Sequence, residues 1–230
     1  QDHDGCPDTI PQPKPKEFLQ DIAYINLYYS FSFTNTPVVA IIPAPDSYQE
    51  VRKYINPARE GVVIWGSDLA REYGGDWNVN FIIVEPNNDK FPMKPDVIIN
   101  LVTRETQSGS GCGVDYSGYA WINHNSETLR PVNTVVCADG FRNTSQVQGT
   151  AAHEFIHAVG LGHAFNKPAD LMCSYEWVNG QKVPTCSGAA YPSKTPSDFD
   201  LSGVAKLYGR DGYKLPNNCS GGSCNDRFTS

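Results

Sequence analysis

The chain has 230 residues, of which 40% are hydrophobic and 19% charged, with a formal net charge of -7 and a pI near 5.2. That length is enough to bury a substantial core as one domain, and the acidic balance argues against nucleic acid as a partner. No run of about 18 apolar residues occurs, so no membrane span is expected.

Residues 1–17, rich in Pro, Lys and Asp, read as an N-terminal arm or the remnant of a pro-segment, and residues 18–230 as a single domain. The alternating apolar run 38–42, ended by Pro43, predicts a first strand. Residues 57–73 follow a helical period, with Val62, Trp65, Leu69 and Tyr73 on one face and Gly74-Gly75 as the stop. Further strands are predicted at 78–85, 96–102, 118–123 and 133–138, five in all. A second helix is predicted to start near Thr144 or Ser145 as N-cap and to bury Val147, Ala151, Phe155 and Val159.

That second helix carries the chemistry. The segment HEFIHAVGLGH runs from His153 to His163. Two histidines four residues apart lie one helical turn apart on the same face, so both imidazoles of His153 and His157 can reach one ion. Gly160 supplies a left-handed turn that lets His163 return to the same ion, and three imidazoles plus a water complete a catalytic zinc tetrahedron. Glu154, beside the first ligand and between the ligands and solvent, is placed to take a proton from water without binding the metal. No GxSxG elbow competes for a nucleophile's role.

Seven cysteines without a CxxC pair exceed what a reduced compartment usually holds, and N-x-Ser acceptors stand at Asn143 and Asn218. Both features point to a secreted protein. The chain opens at Gln1 without an apolar leader, so any export signal is expected to lie outside it.

The histidine segment, followed by Met172 in Ala169-Asp170-Leu171-Met172, resembles the zinc signature and methionine-containing turn of the metzincin clan of metallopeptidases. Within the clan the wording is most similar to the matrixins, through TAAHEF before the second ligand, GLGH before the third, and residues 197–209, which resemble a matrixin's final helix. The resemblance implies an α+β, zincin-like fold: a five-stranded twisted mixed sheet, two long helices, a cleft, and a small irregular C-terminal subdomain ending in a helix. The upper subdomain would span 18–160 and the lower 161–230, with strand 118–123 as the sheet edge beside the cleft. It further implies a monomeric zinc endopeptidase acting on protein or peptide substrates, with His153, His157 and His163 as ligands, Glu154 as general base, and calcium as a second candidate ion.

Some residues depart from the nearest pattern. Ser174 stands where matrixins carry Pro, and Tyr175 lies one place beyond the extra tyrosine ligand of astacin-like enzymes. A second, structural zinc set has no counterpart upstream, where only His3 and His124 remain. Disulfides Cys173–Cys186, Cys219–Cys224 and Cys112–Cys137 are expected, the first closing a loop beside the metal, which leaves Cys6 over. Cys6-Pro7-Asp8 resembles a matrixin latency segment, and residues 2–8 resemble the end of an acidic calcium-binding repeat. The alternative function is therefore a zinc-binding but latent module whose site the N-terminal arm occludes.

Overall fold

The computed structural model describes residues 25–27, 33, 35–85, 91–104, 112, 117–121, 131–139, 142–164, 171–179, 181–184, 186, 195–210 and 212–213. Its centre is a five-stranded mixed sheet in the order β3-β2-β4-β6-β5. The strands are β2 (Val38–Pro43), β3 (Asn80–Ile83), β4 (Val97–Val102), β5 (Gly118–Ala120) and β6 (Val132–Cys137). All five predicted strands are present in an α+β fold, each within two residues of its expected bounds except β5. There the ladder is shorter than 118–123, although Trp121 N–H still donates to the Asn133 carbonyl. Residues 122 and 123 lie outside the described part of the chain, as do His124, the arm 1–17 with His3 and Cys6, and Asn218, Cys219 and Cys224.

Four strands run parallel and β5 alone pairs antiparallel, on the sheet edge beside β6. Parallel strands need crossover connections, and helices supply the one between β2 and β3. The predicted helix 57–73 is α2 (Ile55–Tyr73), preceded by a short α1 (Tyr48–Val51) whose four residues carry too little periodicity to read from sequence. Val62, Trp65, Leu69 and Tyr73 are all buried on its inner face, and Gly74 ends it at φ 75°. The positive φ is why glycine stands there.

The second long helix, α3 (Thr144–Val159), lies against α2. Its cap is Asn143, not Thr144 or Ser145: the Asn143 carboxamide accepts the Gln146 N–H at 2.8 Å while the Gln146 side chain accepts the Asn143 N–H at 2.9 Å. This reciprocal box satisfies two otherwise orphaned donors. The asparagine of the N-x-Ser acceptor is thereby also a helix cap.

Close approach of α2 and α3 depends on Gly61. A Cβ there would overlap the Gln148 carbonyl oxygen and stand 3.0 Å from the Ala152 nitrogen, both backbone atoms that cannot swing aside. One turn on, the buried Trp65 indole donates to the Ala152 carbonyl at 3.0 Å. Gly61→Ala is expected to cost about 1–2 kcal/mol net, because overpacking outweighs the better helix propensity of alanine. Urea unfolding of the two chains measures it, and equal midpoints would contradict the packing argument.

Two further pairings were not legible in the sequence. Strand β1 (Ile25–Leu27) pairs antiparallel with β7 (Leu161–Ala164), and β8 (Tyr175–Val178) forms a hairpin with β9 (Gln181–Pro184). The last described helix is α4 (Asp198–Tyr208), inside the predicted 197–209. Both expected disulfides within the described residues are present, Cys112–Cys137 and Cys173–Cys186.

Candidate metal centre

Helix α3 is held at both ends, which fixes whatever it carries. Before its N-terminus, the Tyr54 hydroxyl donates to the Arg142 carbonyl at 2.6 Å. At its C-terminus, the Tyr208 hydroxyl from α4 donates to the Val159 carbonyl at 2.8 Å and accepts the Phe33 N–H at 3.0 Å. Carbonyls of a helix's last turn lack intrahelical donors, so this buried phenol supplies one. Val147, Ala151, Phe155 and Val159 are all buried, as the helical period requires, and the histidines fall on another face.

Gly160 caps α3 at φ 125°, a value that L-residues rarely adopt, and the chain reverses directly into β7 with His163 on its third position. Strand β7 is held from two sides. It pairs with β1 on one, and on the other Ala164 N–H donates to the Met172 carbonyl at 2.9 Å while Ala164 bridges to Cys173. The Cys186 sulfur of the Cys173–Cys186 bridge lies 3.5 Å from the Ala164 carbonyl oxygen, so the disulfide braces the same strand.

His153, His157 and His163 converge. Their Nε2 atoms stand 3.0 Å apart for His157 and His153, and 3.2 Å for His157 and His163. Among the described residues this trio is the group of metal-ligating side chains close enough to share an ion. The His153 Nδ1 faces the Leu171 carbonyl at 2.8 Å and the His157 Nδ1 faces the Leu161 carbonyl at 2.7 Å. A carbonyl only accepts, so in the neutral ring the proton sits on Nδ1 and Nε2 presents a bare lone pair. Two bare lone pairs 3.0 Å apart repel each other unless a cation is shared between them.

The spacing suits zinc. Nitrogens 2.0–2.1 Å from a tetrahedral zinc stand about 3.3 Å from one another, close to both observed separations. The protonation state suits it too. Burial, then the neighbouring His153 and His163, hold the His157 imidazole well below its ordinary range, and burial lowers His163 as well. Neutral imidazole is the ligand form.

Glu154 is 4% exposed. The sequence placed it between the ligands and solvent, whereas it lies beneath the sheet edge, with its Oε2 buried and unpartnered among the described residues. Burial pushes its carboxyl up to about 8. A buried carboxyl beside three converging imidazoles is the kind of perturbed acid that active sites contain.

Asp200 is the residue that sequence reasoning passed over. Fully buried in the first turn of α4, its carboxylate accepts N–H bonds from Leu171 at 3.0 Å, Met172 at 3.4 Å and Ser197 at 2.9 Å. The Leu171 carbonyl in turn accepts from His153, so a single peptide unit links α4 to the first histidine. The available signal was Ser197-x-x-Asp200, a capping-box pattern whose Ser197 hydroxyl accepts the Asp200 N–H at 3.1 Å. Met172 itself is fully buried in the turn at 171–172. Tyr175 opens β8.

No protein-family model matches the chain, and no curated protein does. Two solved structures of myroilysin superpose on it. One has 15% identity and a TM-score of 0.41, covering 80% of this chain and 98% of that one. The other has 16% identity and a TM-score of 0.46, covering 85% and 100%. Overlaps this loose fix no activity, so the chemistry has to come from the chain's own residues.

Proposed function

We propose that the chain is a secreted zinc endopeptidase of the metzincin clan, most similar to the matrixins, with His153, His157 and His163 as ligands and Glu154 as general base. The observation that carries this reading is the convergence of three histidine Nε2 atoms, two from α3 and one from β7, with a buried carboxyl on α3 next to the first of them. Zinc at such a site supplies Lewis acidity, lowering the pKa of a coordinated water to about 7 and polarising the scissile carbonyl.

Each protein group has a defined task. The backbone carbonyls of Leu171 and Leu161 lock the tautomers of His153 and His157, keeping Nε2 free for the metal. Glu154 accepts the proton of the attacking water and delivers it to the leaving amine, so no covalent intermediate is needed. Burial raises the proton affinity of its carboxylate above that of one in water. Met172 serves as a buried floor under the imidazoles, the role of the clan's methionine turn.

Among the described residues β5 is the outermost strand of the sheet next to α3, and an extended peptide can pair with such an edge through main-chain hydrogen bonds, without demanding a particular sequence. Two disulfides suit an oxidising compartment. No helix among the described residues is long and apolar enough to cross a membrane. The proposed organisation is a monomer with an upper subdomain at 18–160 and a lower one at 161–230.

The direct test is incubation with a denatured protein, with and without a zinc chelator. Fragments that vanish on chelation and return when zinc is restored are the expected result. A zinc-loaded chain that releases no fragments would reject the peptidase and leave a latent module.

A further inference from the structure

Gly118 opens β5, directly over the outer side of α3. A Cβ at this position would stand 2.6 Å from the Thr150 methyl, 2.7 Å from the Val135 carbonyl oxygen and 2.9 Å from the Glu154 Oε1. All three are closer than a real Cβ tolerates. Backbone freedom does not explain the glycine, because Gly118 is not among the residues with positive φ. Space does.

The register makes the contact specific. Successive side chains of a strand alternate, so Gly118 and Ala120 face α3 while Tyr119 and Trp121 share the opposite face. On that far face Tyr119 packs against Val102, Cys112, Val135 and Cys137, and its ring meets Trp121 edge-on at 5.0 Å. Trp121 is 61% exposed there, away from the histidines. The edge strand thus presents to α3 only its two smallest residues.

We propose that Gly118 is a positioning residue for Glu154: the side chain it lacks is the space that holds the carboxylate, with Thr150 as the lateral wall and edge strand β5 as the back wall. This rests on Glu154 being the general base. Thr150 lies one turn before Glu154 on the same helix face and is itself fixed by its hydroxyl, which donates to the Gln146 carbonyl at 2.9 Å. The strand cannot drift either. Gly118 pairs opposite Val136, Cys137 N–H donates to the Ser117 carbonyl at 2.8 Å, and the Cys112–Cys137 bridge anchors the same end of β6.

Any side chain at 118 therefore has to displace the carboxylate and the methyl and to push β5 slightly off the Val135 carbonyl. Glu154 is the cheapest of the three to move, being the end of a flexible chain with no hydrogen bond at Oε2 among the described residues. Misplacing a catalytic group by about 1 Å costs on the order of 10²-fold in rate.

The test is a double-mutant cycle of Gly118→Ala and Glu154→Gln on the zinc-loaded chain, with zinc content, kcat and KM measured for each, and crystal structures of the parent and Gly118→Ala. Gly118→Ala is expected to lower kcat by about 10–100-fold at near-constant KM and unchanged zinc stoichiometry, and to change the residual turnover of Glu154→Gln by less than about twofold. In the crystal structure the Glu154 carboxylate should be displaced while the three histidines keep their places. An equal kcat loss in both backgrounds, or an undisplaced Glu154, would overturn the proposal.

If Gly118→Ala folds poorly, adding Thr150→Ala removes the methyl clash but leaves the Glu154 and Val135 contacts. Stability should then recover in part while kcat stays low, and kcat recovering together with stability would count against Gly118 acting on Glu154. A parent chain without hydrolytic activity would instead remove the peptidase reading, while the crystal structures still report whether Gly118 sets the carboxylate's position.

Discussion

Glu154→Gln is expected to lower kcat for peptide hydrolysis by about 10²–10⁴-fold, the usual contribution of a positioned general base, while the chain still binds one zinc ion. The prediction separates two jobs that lie next to each other in sequence. His153, His157 and His163 bring Nε2 atoms together at 3.0 and 3.2 Å, and nothing in that set depends on the Glu154 carboxyl. Glutamine keeps the volume under the sheet edge and removes only the capacity to take a proton, so the fold and the metal should survive. KM should move little, since the carboxyl's contribution belongs to the transition state rather than to substrate binding. Zinc stoichiometry and steady-state kinetics on the purified variant check both halves. Turnover within about threefold of the parent would remove Glu154 from the mechanism, because a general base cannot be lost at so small a cost.

The histidine segment was legible because three side chains that could share one ion need fixed spacings. A step of four residues from His153 to His157 sets one helical turn, and Gly160 marks the reversal that brings His163 back, at φ 125°. Helix α2 and the five main strands were legible for a similar reason, since burying one face of a regular element writes a period into its sequence. What escaped has little period to show. Strand β1 has three residues and gains its identity only by pairing with β7, and α1 has four. The cap of α3 was misplaced by one or two residues because Asn143, Thr144 and Ser145 are all good cap formers, and only the reciprocal bond with Gln146 chooses among them. Glu154's burial was missed because it is set by β5 crossing over α3, a contact between residues far apart in the chain.

Asp200→Ala is expected to be the most damaging substitution away from the histidines, with a loss of about 3–5 kcal/mol in stability, as when one partner of a buried charged hydrogen-bond set is deleted. The carboxylate is buried with three backbone donors aimed at it, and alanine leaves the N–H groups of Leu171, Met172 and Ser197 with no acceptor at that position. The damage should not stop at stability. Leu171 receives Asp200 on its N–H and His153 on its carbonyl, so freeing the turn at 171–172 also loosens the bond that locks the first histidine's tautomer. The Leu171 carbonyl, one bond removed from the ligand, holds a place that typically governs 10–100-fold of metal affinity, so Asp200, one step further out, should weaken zinc binding by up to about 10-fold. Asp200→Asn provides the graded comparison, because the carboxamide oxygen can still accept while its NH₂ faces a donor, so the loss should fall between the parent and alanine. Urea unfolding and competition with a zinc chelator read the two effects separately. A destabilised chain with undiminished zinc affinity would show that α4 supports the fold without reaching His153, and the peptide linkage through Leu171 would then carry packing alone.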